Sequence, residues 1–339
     1  MSCSRYGMMK VHASYIYRIP VLCLFVLLFS TLQAYAFQIR YMGNLANFEG
    51  IVPSLWSKIT VDKEHAEAII LNPRQRDVRI FNAAGMEIFS FGDNVELSGA
   101  SDIELGEDGD IYLVFPGASE QQIHRLDYKG DPIANFGLKE VPDEFLPFNP
   151  QSLQYIDGKL YLADMGAMNI IITDMEGSFQ QGYHVKRLML QLEEEFAGQP
   201  GEDLFKDLQK FEFLDMAGFS ADSQGNMYFT VSSIFSAFKL SPDGKLKLFG
   251  KSGSGPGKFG VVAGITTDSQ GYIYVSDRLR SVVMIFDANF EFITEFGYRG
   301  LQPGRLIVPD DVVVDDRNGY IYVAQAANRG VSVYRIMND

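Results

Sequence analysis

Residues 249–277 read FGKSGSGPGKFGVVAGITTDSQGYIYVSD. A Gly-rich connector, 250–260, leads into a short strand, a tight turn at Asp268-Ser269-Gln270-Gly271 and a second strand, 272–276. Glycine supplies the positive φ that such a turn needs, and the aspartate before it caps the turn. A phosphate-binding loop would require G-x-x-x-x-G-K-[ST] between a strand and a helix. Here Phe259 follows Gly257-Lys258 and a strand comes next, so the glycines are expected to make the corners of a sheet.

The chain repeats this stretch. A turn glycine followed by an alternating strand recurs at Gly109, Gly158, Gly225, Gly271 and Gly319, at spacings of 49, 67, 46 and 48 residues. A later turn, before a strand that often ends in Phe-Gly, recurs at Gly85, Gly130, Gly177 and Gly244, and at Phe290 without glycine. Periods of this size indicate propellers or arrays. Each unit holds about four short strands and cannot bury both faces of its sheet alone, so the units must stack radially. Six units are counted, beginning near Ser57, Ala100, Ser152, Met216, Ile265 and Asp311. The sixth is one strand short. Gln38–Gly43 matches Glu291–Gly297 in pattern, so the N-terminal strand is expected to complete the last blade and close the ring. The predicted fold is an all-β, six-bladed β-propeller of four-stranded blades.

The first 36 residues differ from the rest. Arg5, Lys10 and Arg18 precede an uncharged apolar run, 19–32, and Ala34-Tyr35-Ala36 forms an A-x-A site before Phe37. These are the parts of a secretory signal peptide, with an uncleaved anchor as the alternative. Residues 37–339 are expected to form the propeller, exported to the periplasm or beyond and monomeric, with no membrane span after the leader. Both cysteines, Cys3 and Cys23, lie in the leader, which leaves the propeller no disulfide and no thiolate metal site. The net charge is −14, or −17 once the leader's three bases are removed, which argues against nucleic acid.

One interval is about 20 residues too long. The extra stretch, 185–213, places Leu188, Leu192 and Phe196 on one helical face, and Leu204 and Leu208 on another. Gly198-Gln199-Pro200-Gly201 divides it into two short helices between blades 3 and 4.

The fifth unit, with Gly255-Pro256-Gly257-Lys258-Phe259, Gly264–Asp268 and Gly271 before Ile273-Tyr274-Val275-Ser276-Asp277, resembles the NHL repeat. So does Gly304 to Val323, with Pro309 and Tyr320–Val323. The resemblance spans most of the chain after the leader and implies a six-bladed propeller of an exported bacterial member. The family is functionally mixed, with protein-interaction domains, RNA-binding domains and lyase or hydrolase-like relatives, so fold alone gives no activity. It also implies that function sits on the face built from second-to-third-strand loops and inter-blade loops. On that face lie Arg74, Arg76, Asp164, Arg278, Arg280, Asn328 and Arg329, with the 185–213 insertion rising beside them. Five arginines on one face of an acidic protein suit the carboxylates of a partner.

Asp102, Asp215, Asp310 and Asp311 fall near the starts of innermost strands, where converging carboxylates could hold a structural Ca²⁺ in the channel. No cofactor is otherwise required. The histidines after the leader, His65, His124 and His184, lie in different units, and no G-x-S-x-G elbow marks a nucleophile. The expected role is therefore a non-catalytic binding or scaffold propeller for a protein or peptide of the cell envelope. An ion-dependent hydrolase or lyase at the channel mouth is the alternative, and a small-ligand receptor a third.

Overall fold

A computed structural model describes residues 37–92, 96–117, 120–196, 214–326 and 329–337, with helical side chains described through Leu192. The proposed leader, 1–36, lies outside the described residues. Six four-stranded antiparallel sheets form the blades, at 58–91, 102–136, 152–184, 218–249, 262–297 and 309–337. Their innermost strands, from Lys58–Asp62 round to Pro309–Asp315, surround a central channel.

The sixth sheet is completed from the other end of the chain. Gln38–Asn44 pairs antiparallel with Val331–Met337, from Gln38 opposite Met337 to Asn44 opposite Ser332. Tyr41 packs its ring edge-on to Tyr334 at 5.5 Å, and Phe37 meets Tyr272 at 5.1 Å. A two-stranded hairpin, Ala46–Asn47 with Gly50–Ile51, then carries the chain to blade 1.

Two side-chain devices explain why the repeat folds as it does. The first is an aspartate at the inner turn. Asp268 Oδ1 accepts the N–H groups of Gln270 and Tyr272, and its other oxygen accepts the hydroxyl of Tyr274 at 2.9 Å. Asp222 does the same for Gln224, Asn226 and Tyr228. In blade 2 this position is Gly106, and the hydroxyl of Tyr112 is buried with no partner among the described residues. Burial pushes the Tyr112 phenol up to about 12.

This contrast gives a paired prediction. Tyr274→Phe removes a buried hydrogen bond and should cost about 1–2 kcal/mol in urea unfolding. Tyr112→Phe removes an unsatisfied hydroxyl and should be neutral, or stabilising by up to about 1 kcal/mol. Equal losses in both variants would contradict this account.

The second device closes the opposite end of the blades. The last residue of the second strand receives the incoming inter-blade loop. Asn72 takes the Ser57 hydroxyl at 2.6 Å, Asp164 the Asn149 N–H at 2.9 Å, and Gln325 the Ile307 N–H at 2.8 Å. Asp277 takes the N–H groups of Gly260 and Val261 at 2.5 and 3.1 Å. Buried loop donors are thus satisfied by side chains where no strand can reach them. Gly250, from the opening stretch, turns at φ +86°, and a Cβ there would stand 2.0 Å from the Phe259 ring. In the fifth blade, where the outer turn lacks its glycine, Phe290 adopts φ +68° and its ring stacks on Phe249 at 4.7 Å.

The long interval begins as one helix, α1, Val185–Phe196. Val185 and Met189 are buried, and Leu188 and Leu192 pack against the core between blades 3 and 4. The amphipathic period holds at Leu188 and Leu192, and the apolar face they form turns into the ring. The expected second helix lies outside the described residues.

Candidate functional site

Side chains of the innermost strands stand in tiers around a cavity of about 200 Å³. In the upper tier are Lys58, Asp102, Ser152 and Asp311. Asp102 accepts hydrogen bonds from the Ser152 hydroxyl and from the N–H groups of Leu153 and Ile103. Asp311 accepts the Ile59 N–H at 3.2 Å. The next tier is Glu104, which accepts from the Thr60 hydroxyl at 3.0 Å and from Gln154 at 2.7 Å.

Burial dominates the electrostatics of these groups. It raises the Glu104 carboxyl to about 8, with the Asp102 charge adding to the shift. It raises Asp311 to about 6 against the attraction of Lys58, and it also raises Asp102. Burial pulls Lys58 down, but Asp311, Asp102 and Asp310 outweigh it and hold the amine above the ordinary lysine value. Lys58 makes no direct ion pair or hydrogen bond among the described residues.

A folded-state carboxyl pKa above the unfolded one means that the folded state binds the proton more tightly. For Glu104, whose ordinary value is 4.5, that stability is fully present below pH 4.5 and is lost as pH rises through about 8. Stability should therefore fall between these limits. Glu104→Gln removes the titrating group while its oxygen can still accept from Gln154 and its amide can donate to the Thr60 hydroxyl, so it should flatten the fall. Urea midpoints at the two ends of the range check this, and an unchanged slope in the variant would contradict it.

Above the cavity, Arg278 forms an ion pair with Asp310, its Nε 2.7 Å from Oδ1, and its guanidinium lies 5.2 Å from the centre of the Trp56 ring. Trp56, the chain's single tryptophan, is half exposed. Asp310 thus turns to Arg278 and not into the channel. Asp215 is exposed and lines no part of the cavity. Among the described residues, no three His, Cys, Asp or Glu side chains are arranged to hold a metal ion. The four aspartates expected to hold Ca²⁺ do not form one donor set, because Asp310 is paired with Arg278, Asp102 and Asp311 accept hydrogen bonds within the ring, and Asp215 lies outside.

The expected partner-binding residues also separate. Arg280 is bound to Glu295 at 2.7 Å and to the Lys258 carbonyl at 2.9 Å. Asp164 is a buried loop clamp, and Leu188 and Leu192 are covered by the ring. Arg329 donates to the Leu301 carbonyl at 3.1 Å. Arg74 and Arg76 are exposed in blade 1. Asn328, and the side chain of Phe196, lie outside the described residues.

Apolar exposure on the loop face includes a cluster around blades 4 to 6, besides Ile51, Trp56 and Leu146 in other inter-blade loops. A groove of about 750 Å³ is lined by Phe235, Pro256, Leu279 and Tyr298, with the Arg280–Glu295 pair among its lining residues. Leu279 is 64% exposed, Tyr298 46% and Phe235 40%, while Leu301, on the adjoining loop, is 70% exposed. Sequence reasoning missed these residues because it weighed the charged side chains of the loops, such as Arg278 and Arg280, and not the apolar ones beside them. It also missed Lys58 and Glu104, which look like ordinary polar positions of alternating strands.

The histidines stay apart. His65 pairs with Asp62, His124 packs against Phe115 with its ring tilted, and His184 stacks on Phe145 at 4.2 Å.

No protein-family model and no curated protein matches this chain. Solved structures do match. A Bacteroides thetaiotaomicron protein of unknown function superposes with a TM-score of 0.62 at 13% identity, over 88% of this chain and 76% of that one. The fold is a six-bladed β-propeller. A gluconolactonase from Xanthomonas campestris gives 0.57 at 10% identity, covering 91% of this chain and 93% of its own. Regucalcin from Agrobacterium tumefaciens, described as calcium-binding, gives 0.54 at 15%, covering 88% and 93%. An enzyme and an ion-binding protein share this architecture, and at such identities the likeness is one of fold alone.

Proposed function

We propose that this chain is an exported, non-catalytic binding propeller of the NHL type. It docks an extended segment of a protein partner on the face that carries the inter-blade loops. The observation that supports this reading is the concentration of Phe235, Leu279, Tyr298 and Leu301, all exposed, on that face. Rigid loops presenting apolar side chains beside a groove are what peptide recognition uses. Export follows from the basic start, apolar run and A-x-A site ahead of Phe37. The NHL assignment follows from the repeat pattern of the fifth and sixth blades.

The channel supports the second reading, a hydrolase or lyase at its mouth, through one group. The Asp311 carboxyl, raised to about 6, is poised for proton transfer. Two observations weigh against it. Lys58 is held protonated and so is no nucleophile, and each carboxylate of the upper tier already accepts hydrogen bonds within the ring.

A photo-reactive residue placed at Leu279 tests the docking reading. Cross-linking in envelope extracts should yield an adduct from position 279 and none from Arg40 on the closing strand. Equal adducts from both positions, or none from 279, would sink the reading.

A further inference from the structure

The chemistry of the partner can be read from the loops around the groove between blades 4 and 5. Loops 250–260, 278–281 and 298–306 hold six cations and no acid, in a chain of net charge −14. Two of the six are occupied, since Arg278 is bound to Asp310 and Arg280 to Glu295. Among the described residues, Lys251, Lys258 and Arg299 have no ion pair. Arg305 places its guanidinium 5.6 Å from the ring centre of Tyr298, a residue of the groove lining. Lys251 and Lys258 flank Ser252–Pro256, and Arg299 follows Tyr298, all lining segments of the groove. Unpaired positive charge therefore borders apolar surface here.

We propose that this groove binds an extended acidic segment of a partner protein. Its apolar side chains would sit on Phe235, Leu279 and Tyr298, and its carboxylates would face Lys251, Lys258 and Arg299. The proposal rests on the loop-face docking reading and adds the partner's charge and patterning. Opposite charge at a groove rim speeds encounter and sets register, while the apolar floor supplies most of the affinity. A single-stranded nucleic acid would meet the same cations. The acidic remainder of the surface favours the alternating peptide, because a polyphosphate carries a denser negative charge and is repelled more strongly wherever it leaves these loops.

Fluorescence anisotropy on the purified protein tests this. The probes are three labelled peptides of about ten residues and one single-stranded RNA oligomer of similar length. One peptide alternates Leu with Glu, one Leu with Lys, and one Ser with Glu. The Leu–Glu peptide should bind best and should weaken about tenfold between low and moderately high salt. Lys251→Glu with Lys258→Glu should weaken it about tenfold at low salt. Leu279→Ser should weaken it while leaving the salt dependence intact.

If the Leu–Lys peptide binds as well, the charge assignment is overturned while loop-face docking stands. If the Ser–Glu peptide binds as well, the apolar floor is not used and the proposal fails. Tighter binding of the RNA overturns it in favour of nucleic acid. Failure of every probe, with a cross-link still obtained from position 279, overturns the acidic-segment proposal alone.

Discussion

A chain starting at Leu45, without the closing strand, is expected to lose most of its stability and to aggregate. Gln38–Asn44 supplies the outer strand of blade 6, and its removal leaves the edge of Val331–Met337 unpaired. It also uncovers Tyr334, which is 2% exposed in the intact ring, and removes the packing of Phe37, Ile39 and Tyr41. Full burial of such side chains contributes about 1.5–3 kcal/mol each; these three are partly buried, and together with the uncovered Tyr334 they amount to roughly 5 kcal/mol. That is comparable with the whole stability of an ordinary domain, about 5–15 kcal/mol. The Asn44 side-chain amide, which donates to the Arg329 carbonyl at 2.8 Å, would go as well. An exposed strand edge invites pairing with another chain. Thermal melts followed by circular dichroism and light scattering should show a lower, irreversible transition, partly restored by a peptide of residues 37–47. A truncated chain that melts with the intact one would show that the ring does not depend on its closure.

Asp277→Ala should be nearly as damaging, although the residue makes no ion pair among the described residues. Its carboxylate is fully buried and accepts three backbone N–H groups, from Gly260, Val261 and Arg280. Alanine leaves all three without a partner. Unsatisfied buried donors cost about 1–3 kcal/mol each, so the loss should be roughly 3–6 kcal/mol. Asp277→Asn keeps one acceptor oxygen and should cost less. Because the same carboxylate holds the 258–261 segment against the 278–281 loop, the alanine variant should also lose peptide binding at temperatures where it remains folded. Urea unfolding of both variants checks the order. A loss below about 1 kcal/mol for the alanine variant would mean that the loop finds its hydrogen bonds elsewhere.

The closing strand and Asp277 differ in how far each is legible in the chain. The closing strand was legible because the sixth unit ends one strand short and Gln38–Gly43 has the missing pattern. The blade count was legible for a similar reason, since a turn glycine and a Phe-Gly ending recur at nearly constant spacing. Asp277 was visible as a loop residue, but its role depends on a segment 16 to 17 positions earlier folding back beneath it. The arginines mislead in the same way. Their sign stands out locally, but Arg278 is neutralised by Asp310, 32 residues away, and Arg280 by Glu295 on the outer strand of its own blade. Charge along a chain does not reveal which pairs will meet.

Helix α1 makes a similar point. Periodicity identified its apolar face, and only the tertiary structure determines that the ring covers that face. The channel group of Lys58, Asp102, Glu104 and Asp311 draws on three different blades, and no local motif marks it.

Amide hydrogen exchange on the full chain, with and without the alternating Leu–Glu peptide at low salt, tests the docking claim most directly. Slowed exchange should appear in 250–260, 278–281 and 298–306 and should disappear in the Lys251→Glu, Lys258→Glu variant. Protection confined to the channel strands, Lys58–Asp62 and Asp102–Leu105, would contradict the account and move the site to the central cavity.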